Sequence, residues 1–167
     1  MGLTSTKVIF LDIDGVLWSS RTLVASGCVP YDPDDRGFDA DAIGMIRAFC
    51  RFTGSQIVLS SSWRIIHDFR DIGRALRLPI VDKTKRLDTE RGEEIAEWLS
   101  RHPNVDGYAI LDDDDDMRED QLPRFVHVDR DEGFSWKDFQ KLSEIFGVEP
   151  MDCVVIRQQP RGVAPQR

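Results

Sequence analysis

Three short stretches of this chain place side chains able to handle phosphate or metal directly after an apolar run. The first is Leu11-Asp12-Ile13-Asp14-Gly15. Alternate residues of a strand face the same side, so Asp12 and Asp14 are predicted to converge at a strand's carboxyl end. Two carboxylates so placed repel each other unless a cation or a shared proton relieves them. The second stretch is Ile57-Val58-Leu59-Ser60-Ser61-Ser62-Trp63-Arg64. There a strand gives way to hydroxyls at a helix start, where backbone N–H groups, serine oxygens and Arg64 can cradle a phosphate. Ser60, still on the strand end, is the stronger candidate. Ser61 and Ser62 read more readily as helix caps. The third is Ile110-Leu111 followed by Asp112 to Asp116. Hard oxygen ligands of this kind suit Mg²⁺. Five consecutive acids are costly in an ordered loop without a cation, and Asp112 and Asp113, nearest the strand, are the predicted ligands. Asp116 is a possible third, with Asp114 and Asp115 turned to solvent. A cation that meets the phosphate is also needed, and Lys83, Lys85, Arg86 and Arg91 are candidates.

These residues must be positioned by strands and helices, and the pattern of the chain supplies them. Apolar runs at Val8–Leu11, Ile57–Ser60, Pro79–Val81, Tyr108–Leu111 and Phe125–Val128 read as strands covered on both faces. Amphipathic segments lie between them, the signature of an α/β fold with a mainly parallel sheet of about five strands. Asp39 can cap a helix that buries Ile43, Ile46, Phe49 and Cys50. A second helix is expected from Trp63 to just before Pro79, burying Ile65, Phe69, Ile72 and Leu76. A third starts near Thr89 and buries Ile95, Trp98 and Leu99. A fourth is capped by Ser135, with Phe134 and Phe139 spaced as a hydrophobic staple and Gly147 at its end. Residues 19–37 lack periodicity and read as a long loop or flap. Residues 1–156 are expected to form one domain, and 157–167 a flexible tail.

Composition narrows the classes further. The chain has 167 residues, 41% hydrophobic and 31% charged, enough for one core. No apolar run nears the roughly 20 residues of a membrane span. Val8–Leu11 is too short for a signal-peptide core and runs at once into acids. Three cysteines, widely spaced and without a zinc or CxxC pattern, fit a reducing cytoplasm. The net charge of -8 argues against broad, nonspecific nucleic-acid binding, although a bound divalent cation would offset part of the Asp112–Asp116 cluster.

The order of acid pair, hydroxyl, cation and acid pair resembles the haloacid dehalogenase-like (HAD) superfamily of phosphohydrolases. The combination of LDIDGVL at 11–17, IVLSSSWR at 57–64, RGEEIAEWL at 91–99 and ILDDDDDM at 110–117 is similar, more narrowly, to HAD domains found alone or attached to RNA-repair proteins. The resemblance spans Lys7 to Phe146. It implies a three-layer Rossmann-like fold, with Asp12 as the nucleophile that becomes an aspartyl-phosphate. Asp14 matches the general acid and base, and Ser60 the phosphate-binding hydroxyl, with Ser61 and Arg64 beside it. Asp112 and Asp113 match the metal-binding acids, completing a Mg²⁺ site with Asp12 and Asp14. Arg91 stands at the best match to a position where the superfamily usually has lysine, and an arginine can hold phosphate through two N–H groups at once.

The resemblance implies a Mg²⁺-dependent phosphomonoester hydrolase. Its substrate is a nucleic-acid end phosphate or, alternatively, a nucleotide or other small phosphoester. A phospho-acceptor signalling domain of receiver type is the rival from another class, but there the paired acids precede a separate acceptor aspartate on a later strand. The segments 15–56 and 64–109 leave room for a flap but not for a folded cap domain, so an open site is expected, with Arg21, Arg36 and Arg64 at its rim.

Overall fold

The computed structural model describes residues 6–154. Five strands form one sheet: β1 (Thr6–Leu11), β2 (Gln56–Leu59), β3 (Ile80–Lys83), β4 (Val105–Asp112) and β5 (Phe125–His127). All are parallel, in the order β3-β2-β1-β4-β5. The chain builds outward from β1 on one side and then returns to its other side. The point where the strand order reverses is therefore the crevice between β1 and β4, where open α/β sheets bind their ligands.

Strand alternation divides the core into two layers. Ile9 and Leu11 point into one cluster with Phe49, Ile72 and Leu142. These come from α2 (Ala40–Thr53), α4 (Phe69–Leu76) and α6 (Trp136–Phe146). Val8 and Phe10 point the other way, against Ile95 and Trp98 of α5 (Arg91–Ser100). The Phe10 and Trp98 rings meet edge to face, 5.3 Å apart. The three-layer Rossmann-like architecture is thus present.

The register matters most for function. Leu11 is level with Leu59 on one side and with Leu111 on the other. The ladder continues one step past these residues: Ser60 N donates to Leu11 O, Asp12 N to Leu111 O and Thr84 N to Leu59 O. Asp12, Ser60, Thr84 and Asp112 therefore leave the sheet at one level.

The caps follow the local chemistry. Asp39 accepts from Asp41 N and Ala42 N at the start of α2. Ser135 and Asp138 close a reciprocal capping box at the start of α6, and Gly147 ends it in the left-handed region. The loop expected at 19–37 instead opens with a short helix, α1 (Ser20–Ser26), capped by Ser19 and Thr22. It buries only Thr22, so it carries no apolar stripe that periodicity could reveal.

The single helix expected from Trp63 is two: α3 (Trp63–Ile66) and α4. Asp68 breaks the run by taking an extended backbone and accepting from Arg70 N. Ile65 consequently lies in solvent, 52% exposed, and not in the core. α5 starts at Arg91, two residues later than expected. β3 begins after Pro79, which has no N–H for the ladder.

The expected tail, 157–167, lies outside the described residues. Among the described residues, no helix is long and apolar enough to cross a membrane.

Candidate active site

Asp12 and Asp112, side by side at the ends of β1 and β4, are both buried. Together with Asp113 they offer one carboxylate oxygen each, all within 4.8 Å of one another. Burial, opposed by Arg91, Ser61 and the Ile13 backbone and aided by the Asp14 charge, leaves the Asp12 carboxyl raised to about 6. Asp112 is pushed up to about 8, first by burial and then by the Asp12 charge. Three hard oxygens at this spacing, with two carboxyls that resist ionising together, fit a divalent cation such as Mg²⁺. The carboxylate of Asp14 is not part of this group.

Asp14 is held instead by two indoles. Trp18 Nε1 donates to its Oδ1 at 2.7 Å and Trp63 Nε1 to the same oxygen at 2.9 Å. Ser62 Oγ approaches Oδ2 at 3.5 Å. Gly15 makes the turn after Asp14 at φ 70, and a Cβ there would fall 2.4 Å from Asp113 Cγ. Only glycine lets β1 turn this close to the β4 acids.

Arg91 is the cation that reaches the centre. Its Nη1 donates to Asp112 Oδ2 at 3.0 Å and lies 3.4 Å from Asp12 Oδ1. Burial works against its charge, but Asp12, Asp112 and Asp116 outweigh that and hold the guanidinium firmly protonated. The other candidates are engaged elsewhere: Lys83 on Arg64 O, Lys85 on Glu97 and Arg86 on Asp88. Asp116 anchors Arg91 from behind. Its carboxylate accepts from Arg91 N and its carbonyl from Gly92 N, capping α5 from a different segment of chain. Asp114 and Asp115 are exposed, as expected.

Ser60 is fully buried, and its Oγ has no hydrogen-bond partner among the described residues. A buried hydroxyl without a partner is rare and calls for a ligand or a water. Ser61 is buried too, and its Oγ accepts from Trp63 N at 3.4 Å. Ser62, expected as an alternative cap, makes no capping bond.

Arg64, expected to contact phosphate, has its N–H groups engaged within the protein. Its five N–H groups meet five acceptors: the carbonyls of Ser60, Ser61, Thr84 and Lys85, and the Glu94 carboxylate. Its side chain is 5% exposed. Arg64 is a strut that ties the Ser60–Ser61 turn to the next strand end and to α5. Arg21 is likewise engaged, with Asp39 and Glu132. Arg36 is exposed.

The residues missed by sequence reasoning are Trp18, Trp63, Thr84 and Arg130. Indoles carry no charge signature, although the four-residue spacing from Asp14 to Trp18 offered one clue. Arg130, whose Nη2 donates to Asp113 Oδ2 at 2.7 Å, left no local signal at all.

The buried Asp12 and Asp112 at adjacent strand ends, with Asp113 within reach and the unpartnered Ser60 hydroxyl at the same level, make a centre whose chemistry suits metal and phosphate. Residues 8–139 match the family described as the HAD domain in Swiss Army Knife RNA repair proteins, and the chain belongs to that family. No curated protein and no solved structure matches it.

Proposed function

We propose that this chain hydrolyses phosphomonoesters with Mg²⁺, through an aspartyl-phosphate on Asp12, and that its substrates are end phosphates of nucleic acids. The observation that carries the reading is the Asp12–Asp112–Asp113 group, with Arg91 bridging Asp12 and Asp112.

A bound Mg²⁺ supplies charge neutralisation for the acids and the phosphate, removing the repulsion that otherwise keeps a carboxylate from phosphorus. Ser60 Oγ and the Arg91 guanidinium bind phosphate oxygens. Asp12 attacks phosphorus, and the bond from phosphorus to the leaving oxygen breaks. Asp14, oriented by Trp18 and Trp63, gives its proton to that oxygen. The same carboxylate then takes a proton from water, which attacks the aspartyl-phosphate and releases inorganic phosphate and free Asp12.

Two features support a nucleic-acid end as substrate. The family description names RNA repair proteins. The segment between β1 and α2 carries one seven-residue helix and no folded cap, so a bulky leaving group has access. The net charge of -8 favours recognition of a chain end over a long tract.

The experiment is phosphate release from an aryl phosphate, with and without Mg²⁺, by the wild type and by Asp12→Asn. Mg²⁺-dependent turnover lost in a folded Asp12→Asn protein is the expected result, and full activity in that variant overturns the mechanism. A panel of phosphorylated oligonucleotides, nucleotides and sugar phosphates tests the substrate. A small molecule that wins by about a hundredfold in kcat/KM, roughly 2.7 kcal/mol, replaces the nucleic-acid end.

A further inference from the structure

Beside Asp14 lies a small cavity of about 170 Å³ whose lining includes Asp14, Trp18, Ser20, Asp113 and Arg130 but neither Ser60 nor Arg91. Ligand clefts are usually larger, roughly 300–1,000 Å³, so this one accepts a fragment of a molecule. Asp14 delivers its proton to the leaving oxygen in the reaction proposed above. A group attached to that oxygen has this cavity beside it.

Arg130 is the cation there with bonding capacity to spare. Its Nε and Nη2 both donate to Asp113 Oδ2, at 3.0 and 2.7 Å. Its Nη1 has no hydrogen-bond partner among the described residues, and the side chain is 67% exposed. One edge of the guanidinium is thus fixed and the other open. Its partner Asp113 is itself a member of the acid group that includes Asp12.

The backbone holding Arg130 is firmly built. Ser20 N donates to Arg130 O and Arg21 N to Asp131 O, while Ser20 Oγ donates to Asp131 Oδ1 at 2.6 Å. Gly133, at φ 76, lets the turn 129–133 pack against Val16 O and Ser19. The short helix α1 therefore serves as a brace for this turn. Around it the mouth is acidic, with Asp114 Oδ1 3.7 Å from Arg130 Nη2 and Asp131 adjacent. An anionic leaving group entering here needs the open edge of Arg130.

We propose that this cavity is the leaving-group subsite and that Arg130 binds a second phosphate carried by the leaving group. The inference rests on the Asp12–Asp14 chemistry proposed above and narrows its substrates to molecules with at least two phosphates. An arginine fork with one free edge suits a phosphate or phosphodiester.

The test compares three substrates at one salt concentration: a mononucleotide, a nucleoside bisphosphate, and a dinucleotide with a terminal phosphate at the end the wild type cleaves. The wild type is expected to favour the dinucleotide over the mononucleotide by at least tenfold in kcat/KM. Arg130→Ala abolishes that preference, and Arg130→Lys keeps part of it. If the bisphosphate shares the Arg130-dependent preference, the subsite reads any second phosphate. If only the dinucleotide does, it reads the diester of a strand. A wild type with no preference, or an Arg130→Ala protein that loses the same factor on every substrate, overturns the inference, the latter because Arg130 then acts only through Asp113. Failure of the parent reading looks different: phosphate release that survives Asp12→Asn. Binding gives a readout independent of turnover. In an Asp12→Asn background with Mg²⁺, adding Arg130→Ala should weaken dinucleotide binding about tenfold and mononucleotide binding far less, and equal weakening of both sinks the subsite.

Discussion

Trp63 Nε1 donates a hydrogen bond to Asp14 Oδ1 over 2.9 Å, joining residues 49 positions apart. Trp18 donates to the same oxygen, so Oδ1 is gripped by two indoles while Oδ2 has only the longer contact from Ser62 Oγ. In the mechanism proposed above this carboxylate hands over a proton and later takes one back, and a fixed position favours both steps.

Trp63→Phe tests that grip. The ring volume stays largely filled, so the protein folds, but one donor is lost. Loss of such a supporting bond is expected to lower kcat roughly tenfold to a hundredfold, with KM little changed. Steady-state kinetics on an aryl phosphate provide the check, and an unchanged kcat means Trp18 alone positions Asp14.

Asp112→Asn removes a charge that burial and Asp12 both oppose. The metal-free variant should melt above the metal-free wild type at pH 8, and its response to Mg²⁺ should weaken. Asp113→Asn should raise the midpoint less, because Arg130 already sits against Asp113. A Mg²⁺ titration followed by thermal melting separates the cases. Wild-type behaviour in both variants moves the metal elsewhere.

Stability without metal should fall as pH rises. Asp12 and Asp112 have folded-state values of about 6 and about 8, both above the ordinary 3.8. Folding therefore favours their protonated forms. The stability they contribute is complete below about 3.8 and is lost as pH climbs through about 6 and then about 8. Melting in a chelator should show a midpoint that drops across this window, while saturating Mg²⁺ flattens the drop. A chelated protein whose midpoint holds steady or climbs from pH 6 to 9 contradicts the electrostatics of the acid group.

Gly15→Ala should damage both fold and site. The backbone at φ 70 costs a residue with a Cβ about 1–2 kcal/mol. The new methyl also falls on the Asp113 carboxyl and must displace it. Reduced urea stability together with a raised Mg²⁺ requirement is the expected pair of results. Stability loss without any change in Mg²⁺ requirement shows that Asp113 lies outside the metal site.

What the sequence by itself determined is where chemistry leaves the sheet. Apolar runs that end in Asp12, Ser60 and Asp112 mark strand ends, because burial on both faces demands continuous hydrophobic residues and solvent or ligand stops them. Caps such as Asp39, Ser135 and Gly147 were legible for the same reason: each acts on backbone groups within a few residues of itself. Residue types and spacing alone left the choice of cation open, and only the family resemblance pointed to Arg91. Arg64 and Arg91 look alike along the chain, each in the first turn of an expected helix. The fold buries Arg64 against Glu94, 30 residues away, and occupies every N–H it has, while it swings Arg91 between Asp12 and Asp112. The indole pair on Asp14 and the brace on Arg130 were decided the same way. Hydrophobic period reports which residues are buried, but which donor meets which acceptor depends on register and on packing between elements far apart in sequence, and only the tertiary structure sets those.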